Sequence, residues 1–202
     1  EGQQMMQECD VVVTNPPFSL FRDFMAQLVK YDKKFLVVGN MNAITFKEIF
    51  PLIKENKLWV GISTFNNGMY FAIPNDYEYK DTYKFKREID GKKVMRVASI
   101  CWFTNIEHSM RNLPLDLYKK YNPNDYPKYD NYDAINVDKT SDIPMDYNGV
   151  MGVPITFLDK YCPTQFEILG IANNVRYMGD FPCLTKIDGK PIYNRILIRK
   201  IN

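Results

Sequence analysis

Asp10-Val11-Val12-Val13-Thr14-Asn15-Pro16-Pro17-Phe18 is the stretch on which the reading of this chain turns. Asp10 to Thr14 is short, β-branched and without alternation, the pattern of a strand buried on both faces of a parallel sheet. The residues after such a strand stand at its carboxyl end, where open α/β sheets bind their ligands. Two consecutive prolines fix φ and remove two backbone donors, which predicts a stiff turn whose carbonyls stay out of helix and ladder. Asn15 adds a side-chain acceptor and Phe18 a flat apolar face, so the four residues suit a planar group bearing an NH2. Asn and Pro also make ordinary strand-ending turns; the buried strand before and the amphipathic helix after favour a site.

That helix is predicted over residues 19–31, where Phe21, Phe24, Met25, Leu28 and Val29 form an i, i+3, i+4, i+7 stripe with Ser19 as N-cap. A second buried strand, Phe35 to Gly39, and a second helix, Phe46 to Glu55, continue the alternation of a doubly wound parallel sheet. Beyond it Leu58 to Thr64, Met69 to Pro74, Tyr83 to Ile89 and Val94 to Thr104 read as strands, with Asp90-Gly91 as a hairpin turn. Trp102 and Phe103 read as core. Residues 112–146, rich in Tyr, Asn, Pro and Asp, read as a long structured loop whose tyrosines either anchor it or stack on bases. Shorter strands are predicted over 149–161, 166–172 and 192–201.

The Asn-Pro-Pro-Phe motif resembles the signature of the amino-methyltransferases that use S-adenosylmethionine. Its wider context, from Cys9 to Asn40 and on through the Tyr- and Asn-rich carboxyl half, is most similar to the EcoRI-type adenine-specific DNA methyltransferases. The resemblance implies site-specific methylation of the adenine N6 amine in duplex DNA, Asn rather than Ser at the first position favouring adenine. Asn15 and Pro16 would hold the amine, Pro17 would stiffen the loop, and Phe18 would stack on the flipped base. Asn15, Phe18 and Gly39 are the cofactor-side candidates. The fold implied is α/β: a partial Rossmann-like methyltransferase sheet of parallel strands plus an antiparallel hairpin, with an irregular α+β carboxyl-terminal extension.

The chemistry explains why these residue types suffice. An exocyclic amine is a poor nucleophile because its lone pair is delocalised into the ring. Two acceptors that draw it toward tetrahedral geometry localise that pair and stabilise developing positive charge. A base within a duplex must be flipped out to be reached.

Length and composition agree with an α/β domain. The 202 residues, 46% hydrophobic and 14% aromatic, can build a substantial core. No 18-residue apolar span is found in the sequence and Glu1-Gly2-Gln3-Gln4 does not read as a signal peptide, so a soluble, cytoplasmic protein is expected. Cys9, Cys101, Cys162 and Cys183 are scattered and His108 stands alone, which points to free buried thiols and away from a metal centre. A net charge of +2 is uninformative, but its distribution is not. From Lys80 to Arg96 seven basic residues face three acidic ones, and Lys84, Lys86, Arg87, Lys92 and Lys93 are predicted to meet DNA phosphates, with Phe65 a possible aromatic opposite Phe18.

The resemblance also implies an earlier strand with a glycine-rich turn for the cofactor's methionine moiety and an acidic residue for its ribose. Neither precedes Asp10, so the chain is expected to be the carboxyl-terminal part of a longer methyltransferase, partnered by the missing amino-terminal part and inactive alone. Residues 1–111 would be the carboxyl half of the catalytic domain and 112–202 an extension for target recognition and sheet-edge cover. Two rivals stand beside this reading: an RNA or protein-glutamine methyltransferase, and a non-catalytic nucleic-acid-binding module.

Overall fold

The computed structural model describes residues 2–62, 68–80, 87–173 and 183–201. The first part of the chain contains α1 (Gly2–Glu8), β1 (Val11–Thr14), α2 (Phe21–Lys30), β2 (Lys34–Asn40), α3 (Phe50–Lys54) and β3 (Trp59–Val60). An excursion then carries β4 (Met69–Ala72), β5 (Arg87–Ile89) and β6 (Lys92–Val97) before β7 (Ile100–Thr104). The rest holds β8 (Ile135–Asn136), β9 (Met151–Pro154), β10 (Phe166–Ala172), β11 (Lys186–Ile187), β12 (Lys190–Pro191) and β13 (Arg195–Lys200).

The molecule is mixed α/β. Strands β1 and β2 pair in parallel, Val11 with Lys34 through Thr14 with Val37. Strand β7 then inserts antiparallel between β2 and β3, giving the order β1-β2-β7-β3. The antiparallel β7 beside the parallel β1–β2 pair gives the expected mix of parallel and antiparallel strands, and β4, β5 and β6, which lie between β3 and β7 in the chain, build a separate sheet. A second four-stranded sheet, β10-β13-β9-β8, is antiparallel except for its β8–β9 pair.

Helix α2 forms where the apolar stripe predicts it and buries Phe21, Met25 and Leu28, while Val29 remains 38% exposed. Ser19 does not cap it. That residue lies inside a 3-10 turn, Phe18–Leu20, and the helix begins at Phe21 without a side-chain cap. The second predicted helix is also shorter. Residues Met41–Thr45 form a 3-10 turn, and α3 starts only at Phe50, where Pro51 sits in the first turn and needs no donor. The single strand expected from Val94 to Thr104 is two strands in different sheets, parted at Ala98-Ser99, where Ser99 takes φ +60°. Asp90 (φ +51°) and Gly91 (φ +71°) make the β5–β6 hairpin turn, as their sequence predicts.

One apolar core runs through both sheets, from Phe21, Phe35 and Phe103 to Phe157, Phe166 and Ile198. Arg111, 5% exposed, bridges the two parts: it donates to Asn56 Oδ1 at 3.0 Å and lies 4.3 Å from the Trp59 ring and 5.7 Å from that of Tyr161. Of the thiols, Cys101 and Cys162 are buried, Cys9 is half-buried and Cys183 is exposed, which corrects the expectation that all four are buried. Among the described residues no helix is long and apolar enough to cross a membrane.

Candidate active site

Because β2 and β3 both pair antiparallel with β7, β3 runs in the same direction as β1 and β2. The carboxyl ends of all three strands therefore lie on one rim. Asn15-Pro16-Pro17-Phe18 leaves it from β1, the Met41–Thr45 turn from β2, and the excursion bearing β4, β5 and β6 from β3. The rim is stitched by the Met41 N–H, which donates to the Ser99 carbonyl at 2.8 Å.

The local sequence explains the shape of the turn. Pro16 is buried and Pro17 is extended (φ −54°, ψ 130°), so the chain cannot enter α2 directly. It passes instead through a 3-10 turn in which Leu20 N–H donates to the Pro17 carbonyl at 2.9 Å. The expectation that both proline carbonyls stay free thus holds for one of them: among the described residues no backbone N–H reaches the Pro16 carbonyl. Asn15 is exposed, and Phe18 presents an apolar ring that is 45% exposed. A carbonyl without a backbone donor, an exposed carboxamide and an exposed aromatic face are thereby gathered at a strand end on a backbone that two prolines stiffen.

Gly39 occupies the end of β2 on the same rim, but its hydrogen is wedged between rings. A Cβ there would lie 2.5 Å from Phe21 and 2.8 Å from Phe103, whose rings meet at 5.2 Å. Gly39 is thus a packing position that lets α2 close on the sheet. Next to it, Asn40 Oδ1 accepts from Asn42 N–H at 2.9 Å and caps the 3-10 turn. Opposite Gly39, the Cys101 thiol is pushed up to about 12, by burial first and by Asp159 second, so it supplies no thiolate near neutral pH. Among the described residues no three His, Cys, Asp or Glu side chains gather as a metal site.

The basic cluster divides. Phe65, Lys84 and Lys86 lie outside the described residues. Arg87 and Lys92 are exposed on β5 and β6, whereas Lys93 is half-buried and donates to the Asn75 carbonyl at 2.5 Å. Arg96, counted among the seven basic residues but not among the predicted phosphate contacts, pairs with Tyr70 across β6 and β4. Strand alternation from Lys92 is the signal that could have found Arg96, an even number of residues away.

Comparison with known proteins settles the family. Residues 1–200 match the family described as adenine-specific methyltransferase EcoRI. The chain belongs to that family. It is 49% identical over 201 residues to Type II methyltransferase M.EcoRI of Escherichia coli, covering 98% of this chain and 60% of that relative. It is 39% identical over 215 residues to Type II methyltransferase M.MgeORF184P of Mycoplasma genitalium, covering 99% of this chain and 67% of the relative. With Type II methyltransferase M.MpnI of Mycoplasma pneumoniae it shares 41% identity over 178 residues, covering 86% and 55%. The chain thus spans somewhat over half the length of these relatives. No solved structure matches it. Membership in this family implies a methyl-donor cofactor.

Proposed function

We propose that the full-length protein bearing this chain transfers a methyl group from S-adenosylmethionine to the N6 amine of adenine in duplex DNA, as the modification partner of a restriction system. The observation that carries the reading is the pair of acceptors at the rim, the exposed Asn15 side chain and the Pro16 carbonyl to which no described backbone N–H donates, beside the exposed Phe18 ring. The relatives' names, all Type II methyltransferases, favour the same chemistry.

In this reading Asn15 Oδ1 and the Pro16 carbonyl accept the two N–H bonds of the amine, and Phe18 stacks on the extruded base. Both acceptors oppose delocalisation of the nitrogen lone pair and stabilise the positive charge that grows there as the N–C bond forms. The bound donor supplies a methyl group already activated as a sulfonium. The amine's proton leaves after transfer, so no strong base is required at the rim.

For the donor itself the described rim offers little. Asn15 and Phe18 are open to solvent and Gly39 is filled by rings, so these residues fit the amine better than they fit S-adenosylmethionine. We place the main donor site in polypeptide that pairs with β1. Three features favour this. Among the described residues strand β1 pairs on one side only, its Val11 and Val13 are 47% and 65% exposed, and a groove of about 640 Å³ runs beside it between Met6, Cys9 and Phe24. The sheet is then one side of a Rossmann-like methyltransferase sheet, residues 1–111 its catalytic half, and 112–202 the extension for target recognition and edge cover.

The test is methyl transfer by the full-length protein to duplex DNA, RNA and protein substrates offered separately. Transfer to adenine in duplex DNA is expected, and transfer confined to RNA or glutamine would sink the reading. Asn15→Ala should lower kcat by about 10²–10³-fold, the usual effect of deleting one preorganised hydrogen-bonding group, with duplex binding intact.

A further inference from the structure

The three-stranded sheet of the excursion, in the order β4-β6-β5, has two chemically different faces. Residues paired across antiparallel strands share a face, and neighbours along a strand alternate. Tyr70 pairs with Arg96, Arg87 with Val94 and Ile89 with Lys92, so Tyr70, Arg87, Ile89, Lys92 and Arg96 lie together. The other face holds Met69 and Phe71 opposite Val97 and Met95, with Glu88 opposite Lys93.

Charge separates the two faces. The first carries Arg87, Lys92 and Arg96 with no carboxylate at any of its strand positions; on the second, Glu88 offsets Lys93. On the first face Arg87 and Lys92 are exposed, Tyr70 is 36% and Ile89 42% exposed, around a half-buried Arg96 and a buried Val94; on the second Phe71 and Glu88 are exposed, while Met69, Lys93, Met95 and Val97 are half-buried. Arg87 lies over the Tyr70 ring, 5.6 Å from its centroid, with Nη1 3.4 Å from the Tyr70 hydroxyl. Stacking of this kind restrains a guanidinium that would otherwise sweep a wide volume, and leaves its outer N–H groups free for an anion.

We infer that this open face, centred on the Tyr70–Arg87 pair with Lys92 and Arg96, is the surface that receives the phosphate backbone of duplex DNA, and that Lys93 has no part in it. The inference rests on the proposed adenine methylation and refines it. A sheet of three short strands that leaves aromatic and basic groups open is better explained by a polyanionic partner than by folding alone. The excursion also leaves from the rim that carries Asn15 and Phe18, so duplex held on it is tethered to the same end of the β1-β2-β7-β3 sheet.

The experiment measures duplex binding by the full-length protein across a range of salt, alongside methyl transfer. Each phosphate contact contributes about 0.9 to the slope of log K on log salt, so Arg87→Ala with Lys92→Ala should flatten the slope by about 2. Arg87→Lys with Lys92→Arg should keep most of it, and Lys93→Ala should leave it unchanged. Equal thermal midpoints establish that the variants fold. A double-alanine variant that keeps the wild-type slope, or a Lys93→Ala variant that loses it, overturns the surface while adenine methylation stands. If the wild-type protein binds duplex through this face yet methylates no adenine, the surface stands and the proposed reaction falls.

Discussion

Asn15-Pro16-Pro17-Phe18 and residues 112–146 draw on the same residues, Asn, Pro and aromatics, and use them in opposite ways. At the rim the carboxamide, one carbonyl and the ring are left open. In the longer stretch nearly every comparable group is engaged. Tyr126 donates to the Asp142 carbonyl at 2.8 Å, Tyr129 to Asn136 Oδ1 at 2.7 Å, and Tyr132 to the Cys183 carbonyl at 2.7 Å. Tyr121 packs between Tyr126 and Tyr147, with centroids at 5.8 and 4.6 Å. The lesson is that composition announces neither a site nor an anchor. What separates them is the backbone: two prolines prevent Asn15 and Phe18 from folding back on local partners, whereas the longer stretch has room to satisfy its own polar groups.

The strongest test of that contrast is Phe18→Ala. An exposed ring contributes little to the core, so unfolding should shift by less than about 0.5 kcal/mol. Base stacking on an aromatic is worth about 1–3 kcal/mol, so kcat/KM for duplex DNA should fall by roughly 5- to 150-fold. A large loss of stability with normal turnover would place Phe18 among the anchors.

Tyr129 is the anchor to set against it. Burial, only partly countered by Arg195, pushes its hydroxyl up to about 12, while an unfolded tyrosine ionises near 10. Between those values the folded protein keeps a proton that the unfolded chain has lost, so stability is complete below about pH 10 and falls as pH rises toward 12. The stability gap between the protein and its Tyr129→Phe variant should therefore narrow by about 1.4 kcal/mol from pH 9 to pH 11. Denaturant titrations at the two pH values measure it, and a constant gap would mean that Tyr129 titrates as an exposed phenol.

The sequence made the rim more legible than its surroundings for a physical reason. A β-branched run, a double proline and an amphipathic stripe are local signals, and each dictates its own stretch; the burial of that strand on both faces is not found, since Val11 and Val13 of β1 are exposed. The insertion of β7 between β2 and β3 is a long-range pairing that no local pattern announces, so only the family resemblance implied an antiparallel strand there, and the break at Ala98-Ser99 is hidden because apolar residues continue on both sides of it. Gly39 shows the same limit: a glycine at a strand end suits a ligand and a close ring equally, and the rings of Phe21 and Phe103 that fill its Cβ position come from other elements of the fold. For the basic cluster, counting charges marks a neighbourhood but no face, because joining Arg87, Lys92 and Arg96 to Tyr70 across three strands requires the register.

Tyr118 is the residue on which the comparison is finest. It belongs to the tyrosine-rich stretch, yet its ring is 65% exposed, with the Lys119 ammonium 5.9 Å from its centroid. Its backbone is nonetheless held, since Met145 N–H donates to the Lys119 carbonyl at 2.8 Å and Tyr121 N–H to Asp146 Oδ1 at 2.7 Å. An open ring on a fixed backbone is the condition found at Phe18. Tyr118→Ala should thus leave unfolding within about 0.5 kcal/mol of the parent. It should weaken duplex binding by up to about fivefold, the low end for one stacked base. Affinity unchanged at low salt would return Tyr118 to the anchors and confine base contacts to the rim and its excursion.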